Sequence, residues 1–280
     1  MNNKELMLTA YKVRRHVLDA VHSAGSGHPG GSLSICEILS LLYFEEMKNL
    51  DTQNPGNPER DRFVLSKGHC SPALYGVLAE KGFFPKSNIM KFRQIDGILQ
   101  GHPSLKDVPG VDMSTGSLGQ GISTACGMAL SAKLDNKDYR VYCVMGDGET
   151  EEGQVWEATM FAAHYKLDNL CAILDYNGLQ IDGNIADVMS PIPLDEKFRA
   201  FNWNVIYVDA HDFDSLRDGF AKARACKGKP SILIAKSIKG KGVSFMENQA
   251  GWHGSAPNDE QYAQAISEID AVIKELGGNI

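Results

Sequence analysis

Three nearly continuous apolar runs in the second half of the chain constrain its fold more than any other feature. They read VYCVM at 141–145, LCAIL at 170–174 and SILIA at 231–235, and helix-like segments separate them. Strands in which polar and apolar residues do not alternate are typical of a parallel sheet that is covered on both faces. Strands that alternate with helices predict a doubly wound α/β fold, a mostly parallel sheet with helices on both sides.

Periodicity and turn residues place the other elements. Helices are predicted over 1–25, 35–47, 72–81, 119–134, 151–166, 195–202 and 213–226, with a helical tail near 258–276. Strands are predicted over 62–69, 139–145, 170–176, 204–208 and 231–236. The glycines and proline of GSGHPGGS (25–32) predict a break between helices, and residues 93–121 are irregular in a way that is typical of functional loops. With no repeat or low-complexity linker, we expect one domain over 1–280.

Small residues recur every four positions in the helix predicted over 119–134, at Gly121, Ala125 and Ala129. Such spacing lets another helix approach closely. A helix pair inside the fold and a contact between subunits would both explain it, and the pattern does not separate the two.

Charge and cysteine usage exclude several classes of protein. The 28 Lys and Arg against 35 Asp and Glu give a net charge of −7, and no basic run indicates nucleic-acid binding. No stretch has the roughly 20 apolar residues that a membrane span needs, and the N-terminal segment does not have the pattern of a signal peptide. The six cysteines form no CxxC pair, so we expect buried thiols and a cytoplasmic protein.

One aspartate stands directly after an apolar strand and between two glycines. Asp147 follows VYCVM, and Gly146 and Gly148 permit a tight turn whose backbone N–H groups could hold a phosphate. An aspartate there would repel the phosphate unless a cation lay between them, and Mg²⁺ is commonly held by one or two carboxylates plus phosphate oxygens. GDG alone also fits an ordinary turn. Asn177, thirty residues later after the next strand, would supply a second oxygen ligand, so the pair predicts a metal–diphosphate site.

The segment GDGETEEGQVWEATMFAAHYKLDNLCAILDYNGLQIDG (146–183) resembles the thiamine-diphosphate fingerprint, specifically that of the transketolase family. Six more motifs resemble transketolase segments in their usual order. They are SGHPGGS (26–32), LSKGH (65–69), GHPS (101–104), STGSLGQG (114–121), KGKG (239–242) and WHG (252–254). The resemblance covers nearly the whole chain and implies the diphosphate-binding domain of that family.

The resemblance implies roles for individual residues. The metal, Mg²⁺ or in its place Ca²⁺ or Mn²⁺, would be held by the side chains of Asp147 and Asn177 and the carbonyl of Leu179. Thiamine diphosphate would contact His69, Gly116, Ser117, Leu118, Gly148, Asn177 and His253. Ser117 stands where many relatives have proline. The loop therefore lacks the rigidity that a proline would give, although a backbone contact from Ser117 stays open. KGKGVSF (239–245) lacks a phosphate-loop frame and is predicted to be a flexible loop that closes over the cofactor.

His28, His102 and His253 match transketolase histidines that face the substrate. The implied reaction breaks the C2–C3 bond of a ketose and passes a two-carbon unit to an aldose, and imidazoles suit its proton transfers. The remaining histidines at 16, 22, 164 and 211 have no glycine-rich setting and are predicted to be structural.

The acidic residues after Asp147 divide into three groups. By resemblance, Glu152 would join an acidic network between two active sites, although it would also favour the start of a helix. Glu149 and Glu151 fit only that helix-start role, and Glu157 is predicted to lie on a helix surface.

A usual transketolase chain is more than twice as long, so the resemblance implies one subunit of a split enzyme. The missing pyrimidine-binding domain would come from a separate C-terminal subunit, in an α₂β₂ heterotetramer that acts on sugar phosphates. Two alternatives are the α subunit of a 2-oxoacid dehydrogenase, which His28, His102 and His253 disfavour, and a non-catalytic cofactor-binding fragment.

Overall fold

The computed structural model describes residues 1–279. The strands are β1 (Arg62–Leu65), β2 (Val141–Gly146), β3 (Leu170–Tyr176), β4 (Leu179–Gln180), β5 (Gly183–Asn184), β6 (Asn204–Asp209) and β7 (Ser231–Lys236). Five of them form one parallel sheet in the order β1-β2-β3-β7-β6, and β4 and β5 form a small antiparallel pair. The parallel sheet confirms the predicted doubly wound fold.

Ten helices connect and cover these strands within residues 1–279. They are α1 (Asn3–Ala24), α2 (Pro29–Leu33), α3 (Cys36–Leu41), α4 (Ser71–Lys81), α5 (Gln120–Leu134), α6 (Gly153–His164), α7 (Ile185–Val188), α8 (Leu194–Ala200), α9 (Phe213–Ala225) and α10 (Asp259–Glu275). A π-helical turn over Leu42–Glu46 follows α3. Along this part of the chain, none of the helices combines the length and the apolar character that crossing a membrane requires.

Two of the differences from the sequence prediction bear on the site. The segment 25–32, predicted as a break, contains the start of α2, because proline is tolerated in the first turn of a helix, where its missing N–H would have no partner. The helix predicted from 151 begins at Gly153, because residues 148–151 form a 3₁₀ turn that occupies the end of β2. This turn decides where the acidic side chains after Asp147 point.

Alternate residues of the strands face two separate cores. Phe63, Val144 and Ile173 belong to a core that also contains residues of α1, α3, α4 and α9, whereas their neighbours in the strands face a core with residues of α5, α6 and α8. Burial on both faces explains why the strands are apolar at successive positions. The carboxyl ends of the strands are left as the edge where loops can form a site.

The small residues of α5 pack inside this fold. A Cβ on Gly121 would lie 2.6 Å from the Cα of Ser66, just after β1, so only glycine allows this approach. Ala125 and Ala129 are fully buried in the core that α5 shares with α6. Packing inside the chain therefore accounts for the small-residue spacing.

Candidate functional site: a pocket at the carboxyl ends of the strands

A cavity of about 350 Å³ opens where β2 and β3 end. The pairing of Gly146 with Asp175 brings the two strand ends together, as the thirty-residue spacing predicted. Most of the predicted site residues line this cavity: His28, His69, His102, Gly116, Leu118, Asp147, Gly148, Asn177, Leu179 and His253. Residues that the sequence analysis did not place among the metal, cofactor or catalytic groups also line it: Gly31, Lys67, Gly146, Glu149, Asp175, Gln180, Ile181 and Lys239.

Asp147 is buried, with 3% of its surface exposed, and backbone groups hold its carboxylate. Gly178 N–H donates to Oδ2 over 2.7 Å and Gly148 N–H donates to Oδ1 over 2.9 Å. Burial, together with the nearby carboxylate of Asp175, raises the pKa of Asp147 to about 6. A cation would offset the cost of burying this charge, and the carboxylate is already fixed in orientation, so it is well suited to bind one.

Two further oxygens lie on the turn after β3. Gly178 has φ +74°, a left-handed conformation that favours glycine, and it joins Asn177 to Leu179. Asn177 Nδ2 donates to Asp175 Oδ2 over 3.0 Å, which fixes the carboxamide and identifies its Oδ1. The Leu179 carbonyl accepts a hydrogen bond from Lys239 Nζ at 3.2 Å, so this oxygen already faces a positive charge.

A buried ion pair between Lys67 and Asp175 lies beneath this turn. Lys67 Nζ donates to Asp175 Oδ2 over 2.6 Å and to the Gly31 carbonyl over 2.8 Å. Burial lowers the pKa of Lys67, but Asp175 outweighs that effect and holds the pKa above its ordinary value. Ser34 and Ser237 also donate to Asp175, whose pKa lies below its ordinary value despite burial. This network connects β1, α2 and β7 to the Asn177 turn.

We expect Lys67→Met to destabilise the fold by about 3–5 kcal/mol, because it leaves the Asp175 carboxylate buried without its partner. The double variant Lys67→Met/Asp175→Asn should recover part of that loss. Urea unfolding of the single and double variants measures both effects. Lys222→Met breaks an exposed pair with Asp218 and should cost under about 1 kcal/mol. Equal losses of unfolding free energy in Lys67→Met and Lys222→Met would contradict the claim that the buried pair stabilises the fold more than an exposed pair does.

Three imidazoles cluster on one side of the pocket. The ring centroids of His28, His69 and His253 lie 5.1, 5.3 and 5.5 Å apart in pairs. Burial lowers the pKa of His28 and His69 to about 4 and that of His253 to about 3, and neighbouring positive groups add to the effect. His102 is more exposed, and its pKa is also lowered by burial and by His69. All four rings are therefore neutral at pH 7.

These lowered pKa values predict a loss of stability in mild acid. The unfolded chain, with an ordinary histidine pKa of 6.5, binds more protons than the folded chain between pH 6.5 and about 4. The stabilisation is thus complete above pH 6.5 and is lost as the pH falls toward 4. Urea unfolding at several pH values measures the free energy of unfolding. As the pH falls, this free energy should decrease less in His69→Gln than in the wild type. His164→Gln, at an exposed histidine, should match the wild type, and a His69→Gln curve parallel to the wild type would refute the assignment.

The prediction for Glu149 was wrong. Rather than favouring a helix start, Glu149 is buried and accepts hydrogen bonds from Ser66 Oγ, from Gly119 N–H over 2.9 Å and from Gly146 N–H over 3.0 Å. Burial raises the pKa of Glu149. The 3₁₀ turn over 148–151 points this side chain inward, where it joins the segment after β1, the start of α5 and the end of β2.

The other acidic residues of this stretch are exposed. Glu151 accepts from Gln180 Nε2 over 2.9 Å at the pocket rim. Glu152 is the N-cap residue of α6 but makes no capping hydrogen bond through its side chain. Glu157 lies on the surface of α6, as predicted.

Of four predicted cofactor contacts in the glycine-rich loops, three line the pocket and one does not. Gly116 and Leu118 line the pocket, and a Cβ on Gly116 would lie 3.1 Å from the His102 ring. Ser117 is exposed and lines a separate small cavity instead. Gly148 lines the pocket, but its N–H, predicted to hold a phosphate, donates to Asp147 in this structure.

The loop predicted to be flexible around KGKG is tied down at several points. Lys239 is 2% exposed, its carbonyl accepts from Asn248 N–H, and Gly240 N–H donates to the Gly30 carbonyl over 2.9 Å. Lys239 Nζ also lies 2.9 Å from His253 Nδ1. The prediction missed Lys239 because its alternation with glycine was interpreted as loop composition only.

The histidines predicted to be structural have partners away from the pocket. His16 bonds Glu80 at 2.7 Å, His22 bonds Asp259 at 2.9 Å and stacks on Tyr262, and His164 packs edge-on against Tyr165. His211 Nε2 accepts from Ile238 N–H over 2.9 Å, so its Nδ1 carries the proton and donates to Glu37.

A buried carboxylate, an amide and a carbonyl lie at adjacent strand ends and face neutral imidazoles, in an α/β protein whose pocket could hold a cation and a cofactor. A family model described as transketolase, thiamine diphosphate binding domain, matches residues 6–270. The chain belongs to the transketolase family, and it is a thiamine-diphosphate-binding domain of that family of transferases.

Two similar relatives have nearly the same length as this chain. The 6-deoxy-6-sulfo-D-fructose transketolase subunit SqwG of a Clostridium species is 44% identical over 266 residues, which cover 95% of this chain and 96% of that protein. An apulose-4-phosphate transketolase subunit of Phocaeicola vulgatus is 41% identical, covering 99% of this chain and 98% of its own length. Both relatives are named as subunits.

Longer transketolases match over part of their length. Human transketolase is 44% identical, and the match covers 95% of this chain but 42% of the human protein. The solved transketolase of Campylobacter jejuni superimposes with a TM-score of 0.90 at 30% identity, covering 99% of this chain and 46% of the solved one. The chain thus spans about half the length of the solved transketolases it matches.

The residues of the pocket fit a diphosphate cofactor held through a divalent cation. Asp147 supplies a buried carboxylate, and the Leu179 carbonyl accepts a hydrogen bond from Lys239 Nζ, so this oxygen already faces a positive group. The Nδ1 atom of His28 is buried and has no hydrogen-bond partner within residues 1–279, which leaves it available to a ligand. No group of three His, Cys, Asp or Glu side chains in that range could hold a metal, so any metal here needs amide, carbonyl and ligand oxygens besides Asp147.

Proposed function

We propose that the chain is the thiamine-diphosphate-binding subunit of a two-chain transketolase, which transfers a two-carbon ketol unit from a ketose phosphate to an aldose. The observation that carries the proposal is the convergence of Asp147, Asn177 and Leu179 with the four imidazoles in one pocket. The predicted single domain over 1–280 and the cytoplasmic location form part of it. Six unpaired cysteines, five of them buried, are consistent with a reducing compartment.

Each group of residues has its own task in this proposal. Asp147, Asn177 and the Leu179 carbonyl would hold Mg²⁺, with Ca²⁺ or Mn²⁺ as alternatives, and the metal would bind the diphosphate together with His69 and Gly148. When bound, thiamine diphosphate supplies the electron sink for breaking a carbon–carbon bond. Gly116 and Leu118 would line its ring system, and Ser117 would contribute backbone contacts only.

The imidazoles would bind and deprotonate the sugar hydroxyls. His28, His102 and His253 are neutral at pH 7, so they can accept a hydroxyl proton or hold a hydroxyl in place. Glu152, exposed at the start of α6, would belong to a network with the second active site of the assembly.

Exposed apolar side chains support a partner subunit. Ile181 at the pocket rim is 59% exposed, and Met189 is 62% exposed in the segment that follows. On α6, Met160 is 57% exposed, and Phe161 and Tyr165 form an exposed ring pair with centroids 4.5 Å apart. Large exposed apolar groups commonly mark protein interfaces. A C-terminal subunit with the pyrimidine-binding domain, in an α₂β₂ assembly, would cover them.

A substrate assay tests the proposal. The chain is mixed with a purified subunit that resembles the C-terminal part of transketolases, with thiamine diphosphate and Mg²⁺. Transfer of a two-carbon unit from a ketose phosphate to an aldose is expected. Decarboxylation of a 2-oxoacid without ketol transfer would instead indicate a dehydrogenase subunit, and the absence of either would indicate a binding fragment.

We expect His28→Gln to leave thiamine-diphosphate binding intact and to slow ketose cleavage by about 100-fold or more, the effect of losing a proton-transfer group. Calorimetry measures cofactor affinity, and single-turnover kinetics of the reconstituted enzyme measure cleavage. His22→Gln, which removes an imidazole bonded to exposed Asp259, is the matched control and should retain wild-type rates. An unaltered rate of ketose cleavage in His28→Gln would show that His28 takes no part in the reaction.

A further inference from the structure

Three side chains outside the pocket are joined by buried hydrogen bonds. Arg14 of α1 and Glu37 of α3 form an ion pair, in which the guanidinium Nη2 lies 2.6 and 2.7 Å from the two carboxylate oxygens. Neither side chain is more than 2% exposed. His211, on the turn after β6, extends the pair, since its Nδ1 lies 3.2 Å from Glu37 Oε2. Elements that are far apart in the sequence thus meet at one carboxylate.

These side chains contact both ends of a short loop that follows β7, residues 238–242, which we call the β7 loop. At one end, Ile238 N–H donates to His211 Nε2 over 2.9 Å. At the other end, Arg14 Nε donates to the Lys241 carbonyl over 2.9 Å. The loop is therefore anchored twice to the same group of buried charges.

The β7 loop carries a pocket residue between its two anchors. Lys239 lines the cavity and is 2% exposed. Its neighbour Gly240 donates its N–H to the Gly30 carbonyl over 2.9 Å, and a Cβ on Gly30 would lie 3.1 Å from Lys239 Cγ, so the lysine stem packs closely against α2. The place of Lys239 in the pocket therefore depends on where the loop backbone is held.

The contact between His211 and the loop has a fixed direction. A backbone N–H can only donate, so His211 Nε2 accepts from Ile238 and the ring proton lies on Nδ1. Burial alone would raise the pKa of Glu37, but Arg14 and His211 outweigh it and lower the pKa to about 2, so Nδ1–H faces an ionised acceptor. Both ring nitrogens thus have partners of matching polarity.

We propose that His211 is a positioning residue, which holds the β7 loop and with it Lys239 at the pocket. Without an acceptor, the Ile238 N–H would lose its hydrogen bond in a partly buried place, and the loop would open more often. The cofactor would then have to order the loop as it binds, at a cost to its affinity. This consequence for the cofactor rests on the proposed function, whereas the anchoring of the loop does not.

Two substitutions of His211 separate its two hydrogen bonds. His211→Asn places an amide nitrogen near the position of Nδ1, where it can still donate to Glu37, but leaves nothing at the position of Nε2. His211→Gln places its carbonyl oxygen near the position of Nε2, where it can still accept from Ile238. A role in stability alone would not distinguish these variants by the bond that each one keeps.

Amide hydrogen exchange of the full chain, followed by NMR, tests the anchor. We expect the Ile238 amide to be protected in the wild type and to exchange at least about 10-fold faster in His211→Asn, because the donor has lost its acceptor. In His211→Gln its rate should remain close to that of the wild type. Calorimetry with thiamine diphosphate and Mg²⁺ should show weaker binding in His211→Asn than in His211→Gln.

His164→Asn, at an exposed histidine on α6, is the matched control and should leave Ile238 exchange unchanged. The Ile234 amide in the middle of β7 reports global unfolding, so its rate should not rise in step with that of Ile238. Equal Ile238 rates in His211→Asn and His211→Gln would overturn the proposal. If neither variant folds, the wild type still decides, because an unprotected Ile238 amide would also overturn it.

Exchange and cofactor binding are separate results. The exchange measurement needs no cofactor, substrate or partner, so a failure of ketol transfer leaves the anchoring of the loop intact. Equal cofactor affinities in His211→Asn and His211→Gln would refute the positioning role at the pocket, even if the wild-type chain binds thiamine diphosphate as proposed.

Discussion

Replacing Asp147 by asparagine is expected to abolish the Mg²⁺-dependent binding of thiamine diphosphate. Asp147 is the single carboxylate among the proposed ligands, and asparagine removes its charge at nearly constant volume. Loss of outer partners of a metal site already costs about 10–100-fold in affinity, so loss of this ligand should cost at least about 100-fold. Isothermal titration of thiamine diphosphate with and without Mg²⁺ measures the effect.

Glu157→Gln is the matched control, because it also neutralises one carboxylate, on the exposed surface of the next helix. It should bind the cofactor as the wild type does. The urea midpoint of Asp147→Asn shows whether the fold is retained, since Gly148 and Gly178 lose one acceptor between them. Wild-type cofactor affinity in folded Asp147→Asn would contradict the metal assignment.

The isolated chain is expected to have no ketol-transfer activity and to gain it on addition of the C-terminal subunit. The chain spans about half the length of the solved transketolases it matches, and the resemblance assigns the pyrimidine-binding contacts to the other half of those proteins. Activity titrated against added partner should saturate at one partner per chain, with a tetramer detected by native mass spectrometry. The Asp147→Asn chain plus the partner is the control for activity from the partner alone. Full activity of the purified chain by itself would refute the two-subunit proposal.

The sequence predicted those parts of the site that local rules determine. Asp147 after an apolar strand, with Asn177 one helix and one strand later, was enough to place both at one edge of the sheet, because parallel strands end at the same edge. The strands themselves were predicted within a few residues, since burial on both faces leaves a clear apolar signal.

The buried charges were missed for a physical reason. Lys67, Asp175 and Glu149 each bond groups far away in the chain, such as Lys67 with Asp175 over 108 positions and Glu149 with Ser66 over 83. Periodicity describes neighbours three or four residues apart and carries no information on such pairs. One signal was available: Asp175 is charged within an otherwise apolar strand, where a lone charge needs a buried partner.

The bonds of Glu149 have a consequence for assembly. They join the segment after β1, the start of α5 and the end of β2 within one chain, and the Lys67–Asp175 pair joins the segment after β1 to the end of β3. The conformational entropy of these loops is therefore lost when the chain folds and not when a partner arrives. A subunit that docked here would meet loops that are already ordered, so the entropic cost of ordering them would not be subtracted from the free energy of its binding.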